Sequence, residues 1–376
     1  MDEKIKVFVI GPRGFPGVQG GIERFSESFY PLFVSLGYNV NVFVMKKYCS
    51  HKQWKGVNFI HVPTVSSKTL EKFFYNFYSA IYCIIKRPDV IHIHSIASGF
   101  FIFLLKASGL KVISRYNSRD YLHNKWSRLG KFILKFSEKQ FLKSDYIVTN
   151  NKSYLDFLKS LGRDKNLTFL PNGVEWPDIT NYKLFQKSIY ANILESNKYI
   201  LYVGRITAEK NIKTLLDAYI KLNDKSLKLV IAGEAAHQDE YFKKLQLNYS
   251  TPEIVFLGKV EREQLNYLYA HSRLFVLPSL QEGMPNVLLE AMSFKCSILL
   301  SDIPAHQQFV FNENTYFKTT DVDDLMRKMQ FKIADNYTEE DYSGKLLDYS
   351  WDTIVAKMQK IHAEVLNNTI NDTRKN

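Results

Sequence analysis

Two carboxylates, two cations and a dense cluster of glycines carry most of the chemistry this sequence offers. Glu282 and Glu290 stand eight residues apart in Pro278-Ser-Leu-Gln-Glu282-Gly283-Met284-Pro285-Asn286-Val-Leu-Leu-Glu290-Ala-Met. Paired carboxylates serve glycoside hydrolysis. A Glu290 set among the apolar Leu288, Leu289, Ala291 and Met292 suits the binding of sugar or ribose hydroxyls better. Pro285 is predicted as the first helical residue, where its missing N–H costs nothing. Glu282 then stands at the helix mouth, with Glu290 reaching back from the first turns. Arg205 and Lys210 fall in Tyr202-Val-Gly204-Arg205-Ile-Thr-Ala-Glu209-Lys210-Asn211. Two fixed cations there could offset the charge of a leaving diphosphate; a solvated helix start fits the same residues. The third motif, Gly11-Pro-Arg-Gly14-Phe-Pro-Gly17-Val-Gln-Gly20-Gly21, has five glycines in eleven residues. Glycine permits positive φ and close backbone approach to a ligand. Ile22-Glu23-Arg24-Phe25 then opens a helix whose free N–H groups favour a phosphate. The pattern is neither Gly-x-Gly-x-x-Gly nor a P-loop, which argues against a dinucleotide dehydrogenase and an ATPase.

Short apolar runs must position these motifs. Ile5–Ile10, Asn39–Val44, Val90–His94, Lys111–Ser114 and Tyr146–Thr149 read as buried strands, with helical patterns at Glu23–Leu36 and Trp126–Leu142 between them. A second series runs through Tyr199–Val203, Leu227–Ala232, Ile254–Leu257, Leu274–Leu277 and Ser297–Leu300. Strand–helix alternation predicts an α/β fold of two doubly wound, Rossmann-like domains facing an inter-domain cleft. The expected divisions are residues 1–180, a linker at 181–197, residues 198–350, a helix at 351–366 that crosses back, and a disordered tail at 367–376. Ligands in such sheets bind beyond the carboxyl ends of strands, where the three motifs fall. His92 and His94 alternate on one strand, as core residues or with one facing the ligand. Asp321-Val-Asp323-Asp324 contains an Asp-x-Asp, but acidic residues opening a helix suit its dipole.

The 376 residues carry a net charge of +12, unevenly spread. Residues 1–180 hold 26 Lys and Arg against 13 Asp and Glu, and the remainder 24 against 25. The basic half implies an anionic partner, or a basic face that only aids solubility. Neither a secretory leader nor a transmembrane span is expected: Val90–Leu105 and Phe73–Ile85 fall short of the roughly 20 apolar residues a span needs. Cys49, Cys83 and Cys296 form neither a disulfide framework nor a metal motif, which suggests a reducing cytoplasm. Residues 111–143 hold nine Lys and Arg against two acids. There Trp126, Leu129, Phe132, Ile133 and Phe136 recur at helical spacing, with Arg128, Lys131, Lys135 and Lys139 between them. The pattern suits a helix lying in an anionic membrane surface, each cation contributing about 1 kcal/mol; a core helix with a basic outer face fits it too. No nucleic-acid motif accompanies the charge, so no nucleic-acid partner is expected.

Taken in order, the three motifs resemble the GT-B glycosyltransferases of family 4, whose Glu-x7-Glu signature is matched by Glu282 to Glu290. Pro171-Asn172-Gly173-Val174, Ala232-Gly233-Glu234 and Phe256-Leu257-Gly258-Lys259-Val260 add to the resemblance, which covers nearly the whole chain. It implies a retaining hexosyltransferase that uses a nucleotide diphosphate sugar and needs no metal or other cofactor. Arg205 and Lys210 would hold the diphosphate and Glu290 the ribose hydroxyls. Glu282, with Gly283, Met284, Pro285 and Asn286, would face the donor sugar and phosphate. Gly204 belongs to the same donor site, Leu257, Gly258 and Val260 would line the base pocket, and Gly20 and Gly21 would close on the phosphate. Many members carry a histidine after the fourth strand of the first domain; here Val112-Ile-Ser-Arg-Tyr-Asn117-Ser-Arg-Asp120 offers Asn117 and Asp120 instead. Relatives often have a Gly pair and a Glu where Pro304-Ala305 and Gln308 stand. The glycine-rich start and Lys125-Trp126 are similar to capsule-type rhamnosyltransferases. The expected acceptor is a polyprenyl-diphosphate-linked glycan met at the inner face of the cell membrane. A non-catalytic sugar-nucleotide-binding subunit and a nucleotide-sugar epimerase are the alternatives.

Overall fold

The computed structural model describes residues 4–18, 20–63, 68–122, 126–177, 189–190, 194–235, 240–334 and 340–373. The chain divides into two compact units: residues 1–173 with 351–376, and residues 174–350. Most of the linker expected at 181–197 lies outside the described residues.

The first unit is built on an eight-stranded sheet. Its strands are β1 (Lys6–Ile10), β2 (Asn39–Met45), β3 (Gln53–Trp54), β4 (Val57–Val62), β5 (Val90–His94), β6 (Val112–Tyr116), β7 (Tyr146–Thr149) and β8 (Leu167–Phe169). The spatial order is β3-β4-β2-β1-β5-β6-β7-β8, and only β3 runs antiparallel to its neighbour. A parallel sheet has both faces covered, so its strands read as continuous apolar runs. Accordingly β5, β6 and β7 are buried at every position. On one face Val7, Val9, Val42 and Val90 pack with Phe29 and Phe33 of the Gly21–Ser35 helix and with Ile354, Met358 and Ile361. On the other, Phe8, Phe43 and Ile91 pack with Tyr75, Ile102 and Phe141. Each such side chain contributes about 1.5–3 kcal/mol.

Ile354, Met358 and Ile361 belong to the Trp351–Thr373 helix, which places that helix in the first unit. The tail expected to be disordered from Asn367 continues this helix to Thr373. No Pro or Gly interrupts the stretch, and adding residues to a nucleated helix is cheap.

The second unit has six parallel strands: β9 (Tyr199–Val203), β10 (Lys228–Ala232), β11 (Ile254–Gly258), β12 (Leu274–Leu277), β13 (Ile298–Ser301) and β14 (Tyr316–Phe317). Their order, β11-β10-β9-β12-β13-β14, is the doubly wound one in which the winding reverses between the first and fourth strands. The reversal falls between β9 and β12 here and between β1 and β5 in the first unit. In such sheets the crevice for a ligand opens at the carboxyl ends of those strands.

Candidate active site

In the second unit the loops leaving β9 and β12 meet at that crevice. After β9 the chain makes a tight turn at Ala208–Lys210, and Asn211 takes a left-handed conformation (φ 52°) before the Ile212–Leu222 helix. Lys210 therefore precedes the helix, where the sequence placed it at the helix start. After β12 comes Pro278–Glu282. The Leu280 N–H donates to the Glu209 carbonyl at 2.9 Å, locking the two loops together. Across that contact Lys210 Nζ lies 2.5 Å from Glu282 Oε1, and the Ser279 hydroxyl donates to the same oxygen at 2.7 Å. Both charged side chains are largely buried, at 16% and 10% exposure. Burial alone would raise the Glu282 carboxyl. The charge and hydrogen bond of Lys210, with smaller help from the Ser279 hydroxyl, outweigh it and hold the group below its ordinary value. Arg205 is exposed on the same loop.

Glycine makes this packing feasible. A Cβ on Gly233 (φ 150°) would stand 1.8 Å from the Gly204 carbonyl oxygen. The Gly204 N–H donates to the Ala232 carbonyl and the Gly233 N–H to the Gly258 carbonyl, so the ends of β9, β10 and β11 are stitched side by side. Leu257 and Gly258 close β11 half-buried, and Val260 follows, also half-buried.

The Asn286–Ser293 helix begins one residue later than the sequence suggested. Pro285 is its cap, in extended conformation, and its carbonyl accepts from the Leu288 and Leu289 N–H groups. A capping residue contributes its carbonyl to the first helical bonds while keeping non-helical angles. Met284 and Pro285 are buried, and Gly283 and Asn286 half-buried. Glu290 is half-buried, and the Tyr269 hydroxyl donates to its Oε2 at 3.0 Å. Tyr269 stacks on Phe294, which fixes the hydroxyl. Asp321 caps the Val322–Ala334 helix by accepting from the Asp324 N–H, and Asp324 in its first turn accepts from the Lys318 N–H.

In the first unit the glycine-rich segment is braced from all sides. The Tyr75 hydroxyl accepts from the Gly11 N–H at 3.0 Å, and Glu23 Oε1 accepts from the backbone and side chain of Arg13 at 3.1 and 2.8 Å. Glu27 accepts from the Gly17 N–H at 3.2 Å. Gly20 caps the Gly21–Ser35 helix at φ 149°, and a Cβ there would stand 2.0 Å from Glu23 Oε2. The anion beside this helix start is thus the chain's own Glu23. Beyond β6, Asn117 Oδ1 is buried with no partner among the described residues, and Asp120 accepts from the Ser118 hydroxyl at 2.5 Å.

His92 and His94 are core residues. The Tyr30 hydroxyl lies 3.0 Å from His92 Nδ1 and 2.6 Å from His94 Nε2, and His92 Nε2 lies 2.7 Å from His362 Nε2 on the Trp351–Thr373 helix. Arg115, beside His94 in register, is buried over the Phe25 ring and donates to the Pro171 carbonyl and to Asn172 Oδ1. Nothing in the local spacing of Tyr30, Arg115, Tyr269, His306 and His362 marks them in the sequence.

The Arg128–Phe141 helix turns three apolar residues outward. Leu129 and Phe132 are each 69% exposed and Ile133 is exposed, alongside Arg128, Lys135, Lys139 and the half-buried Lys131. The inner face is Leu134, Ser137, Glu138 and Phe141, with Glu138 accepting from the Tyr116 and Tyr121 hydroxyls. Among the described residues no helix is long and apolar enough to cross a membrane.

Two doubly wound units, the second with a cation–carboxylate pair at its switch point, define the class of chain. Comparison with known proteins gives the family. The sequence model of Glycosyltransferase Family 4 matches residues 19–175, and that of Glycosyl transferases group 1 matches residues 187–345. The chain is thus built of a Glycosyltransferase Family 4 domain followed by a Glycosyl transferases group 1 domain, on the GT-B fold. It is 26% identical over 231 residues to the Campylobacter jejuni N-acetylgalactosamine-N,N'-diacetylbacillosaminyl-diphospho-undecaprenol 4-alpha-N-acetylgalactosaminyltransferase, a match that spans 60% of each chain. Sucrose-phosphate synthase from Thermosynechococcus elongatus superposes with a TM-score of 0.82 at 18% identity, over 97% of this chain and 100% of that one. Anabaena HepE, solved in complex with UDP, superposes with a TM-score of 0.75 at 14% identity, over 96% and 100%. At these identities the structural likeness speaks to the fold alone.

Proposed function

We propose that this protein is a retaining hexosyltransferase that moves a sugar from a nucleotide diphosphate sugar to a polyprenyl-diphosphate-linked glycan in cell-surface polysaccharide synthesis. The observation that carries the reading is the Lys210–Glu282 pair, held at the carboxyl ends of β9 and β12 by Ser279 and the Leu280–Glu209 backbone bond. An ammonium has three N–H donors. With one on Glu282, Lys210 has donors for the leaving diphosphate, and the exposed Arg205 adds a second cation. This supplies the charge stabilisation without a resident metal or other cofactor. Glu290, steadied by Tyr269, accepts from the ribose hydroxyls. Leu257, Gly258 and Val260 border the base, and Gly283, Met284, Pro285 and Asn286 frame the sugar and phosphate. In the first unit, Asn117 and Asp120 are the polar candidates beyond β6, and the Arg13–Glu23 pair fixes the loop that carries Gly20 and Gly21.

A relative supports this chemistry. The Campylobacter jejuni protein is named for a diphospho-undecaprenol-linked substrate. The outward apolar face of the Arg128–Phe141 helix, with its flanking cations, supports docking at an anionic membrane surface on the cytoplasmic side, where such an acceptor lies.

Thermal-shift screening against UDP-, GDP- and dTDP-sugars, followed by a transfer assay on lipid-linked acceptors, tests the reading. One nucleotide class stabilises the protein, and Lys210→Ala and Glu282→Ala both lose transfer. Wild-type turnover in both variants would refute the site assignment, and nucleotide binding without any transfer would favour a non-catalytic subunit.

A further inference from the structure

His306 is fully buried in the second unit, on the short Pro304–Gln307 helix that follows β13. Its Nδ1 lies 2.8 Å from the Ser301 carbonyl oxygen and 3.2 Å from Ser301 Oγ. A carbonyl only accepts, so Nδ1 carries the proton and Nε2 keeps a bare lone pair. The Ser301 hydroxyl donates its own proton to the Ser279 carbonyl at 2.6 Å, which leaves its oxygen as a second acceptor for Nδ1–H. Ser279 in turn donates to Glu282, so two serines tie this ring to the carboxylate paired with Lys210. Nε2 is buried and meets no hydrogen-bond partner among the described residues. Burial lowers the imidazole to about 4 against the opposing pull of Glu282, so the ring is neutral at ordinary pH.

A buried acceptor with nothing to accept from is unfavourable, and its chemistry restricts what completes it. Diphosphate oxygens would set lone pair against lone pair. A hydroxyl donates a proton and satisfies the site. We propose that His306 Nε2 is a positioning contact for the donor's glycosyl group: it accepts a hydrogen bond from one sugar hydroxyl and leaves the nucleotide diphosphate to other residues. This rests on the reading of the Lys210–Glu282 pair as the donor site.

Isothermal titration of the full chain with UDP, GDP and dTDP, and with UDP-glucose, UDP-N-acetylgalactosamine, GDP-mannose and dTDP-rhamnose, identifies the nucleotide and conjugate that the wild type binds. His306→Asn keeps a donor for the Ser301 carbonyl and removes the acceptor. It binds the parent nucleotide as wild type does and the sugar conjugate about tenfold more weakly, the loss expected for one hydrogen bond. His306→Gln, with an amide near the Nε2 position, recovers part of that loss. In the wild type, the NMR resonance of Nε2 moves upfield with the conjugate and stays in place with the parent nucleotide, a readout that needs no variant. Equal binding of the conjugate by wild type and His306→Asn, or an unmoved Nε2 resonance, overturns the assignment and leaves the donor site standing. Failure of the wild type to bind any of these nucleotides overturns that reading, and the His306 contact with it.

Discussion

Lys210 and Glu282 each depend on the other for a tolerable environment. Removing one partner of a buried pair leaves an uncompensated charge, whereas removing both is far milder. Lys210→Met is therefore expected to lose stability by roughly 1–3 kcal/mol in chemical denaturation, besides lowering transfer about 100-fold or more. Lys210→Met combined with Glu282→Gln recovers most of the stability and none of the transfer. Additive losses in the double variant would show that the two side chains do not act as a pair. Both residues were legible in the sequence because Gly-Arg-x4-Lys and Glu-x7-Glu are local patterns. Their contact was not legible, since 72 positions separate them and only the winding of the sheet joins the loops. The same holds for Tyr269 and His306, whose significance comes from the atoms they meet across the fold: Glu290 Oε2 for one and the Ser301 carbonyl for the other.

Among the elements, β5 and the Trp351–Thr373 helix share a buried polar seam. His92 and His94 alternate on β5, and Tyr30 and His362 reach them from two helices. Burial, with Arg115 adding to it, lowers His94 to about 3; burial lowers His362 to about 3; and burial, His362, His94 and Arg115 together hold His92 well below its ordinary value. An unfolded chain protonates these rings near pH 6.5. Below that pH the unfolded state binds more protons than the folded one, so stability falls as pH drops toward 3 and is unaffected above about 7. Each ring contributes on the order of 1 kcal/mol per pH unit over that range. Thermal melts from pH 7 to pH 5 should show the decline, and His362→Gln should make it shallower. A melting curve flat across that range would contradict the seam's neutrality. The strands themselves were readable because a doubly covered parallel sheet writes itself as apolar runs. The last helix was underestimated beyond Leu366 because its polar residues carry no apolar rhythm, although nothing there breaks a helix.

At the scale of the whole molecule, the division into two units sharpens the charge asymmetry. Residues 1–173 and 351–376 hold 30 Lys and Arg against 14 Asp and Glu, while residues 174–350 hold 20 against 24. The net charges are +16 and −4, so the first unit carries more than the whole excess. Sequence periodicity left open whether Leu129, Phe132 and Ile133 face the core. They face outward, because Glu138 with its two tyrosine partners, together with Leu134 and Phe141, claims the inner face. The exposed set extends across neighbouring helices: Phe73 and Phe77 are both exposed and pack on Phe101, and Phe100 packs on Phe136. An apolar patch rimmed by cations gains from burial in the acyl boundary and from attraction to anionic headgroups, and only the second gain is screened by salt. Co-sedimentation with phosphatidylglycerol-containing vesicles should therefore be strong at low salt and weaken at high salt, with little binding to phosphatidylcholine alone. Leu129→Asp with Phe132→Asp should abolish it while shifting stability by less than about 0.5 kcal/mol, since both side chains are already in water. Charge reversal at Lys135 and Lys139 should lower binding chiefly at low salt. If the double aspartate variant sediments like wild type, the outward apolar face has no part in membrane docking, and the basic excess of the first unit must be explained without a lipid surface.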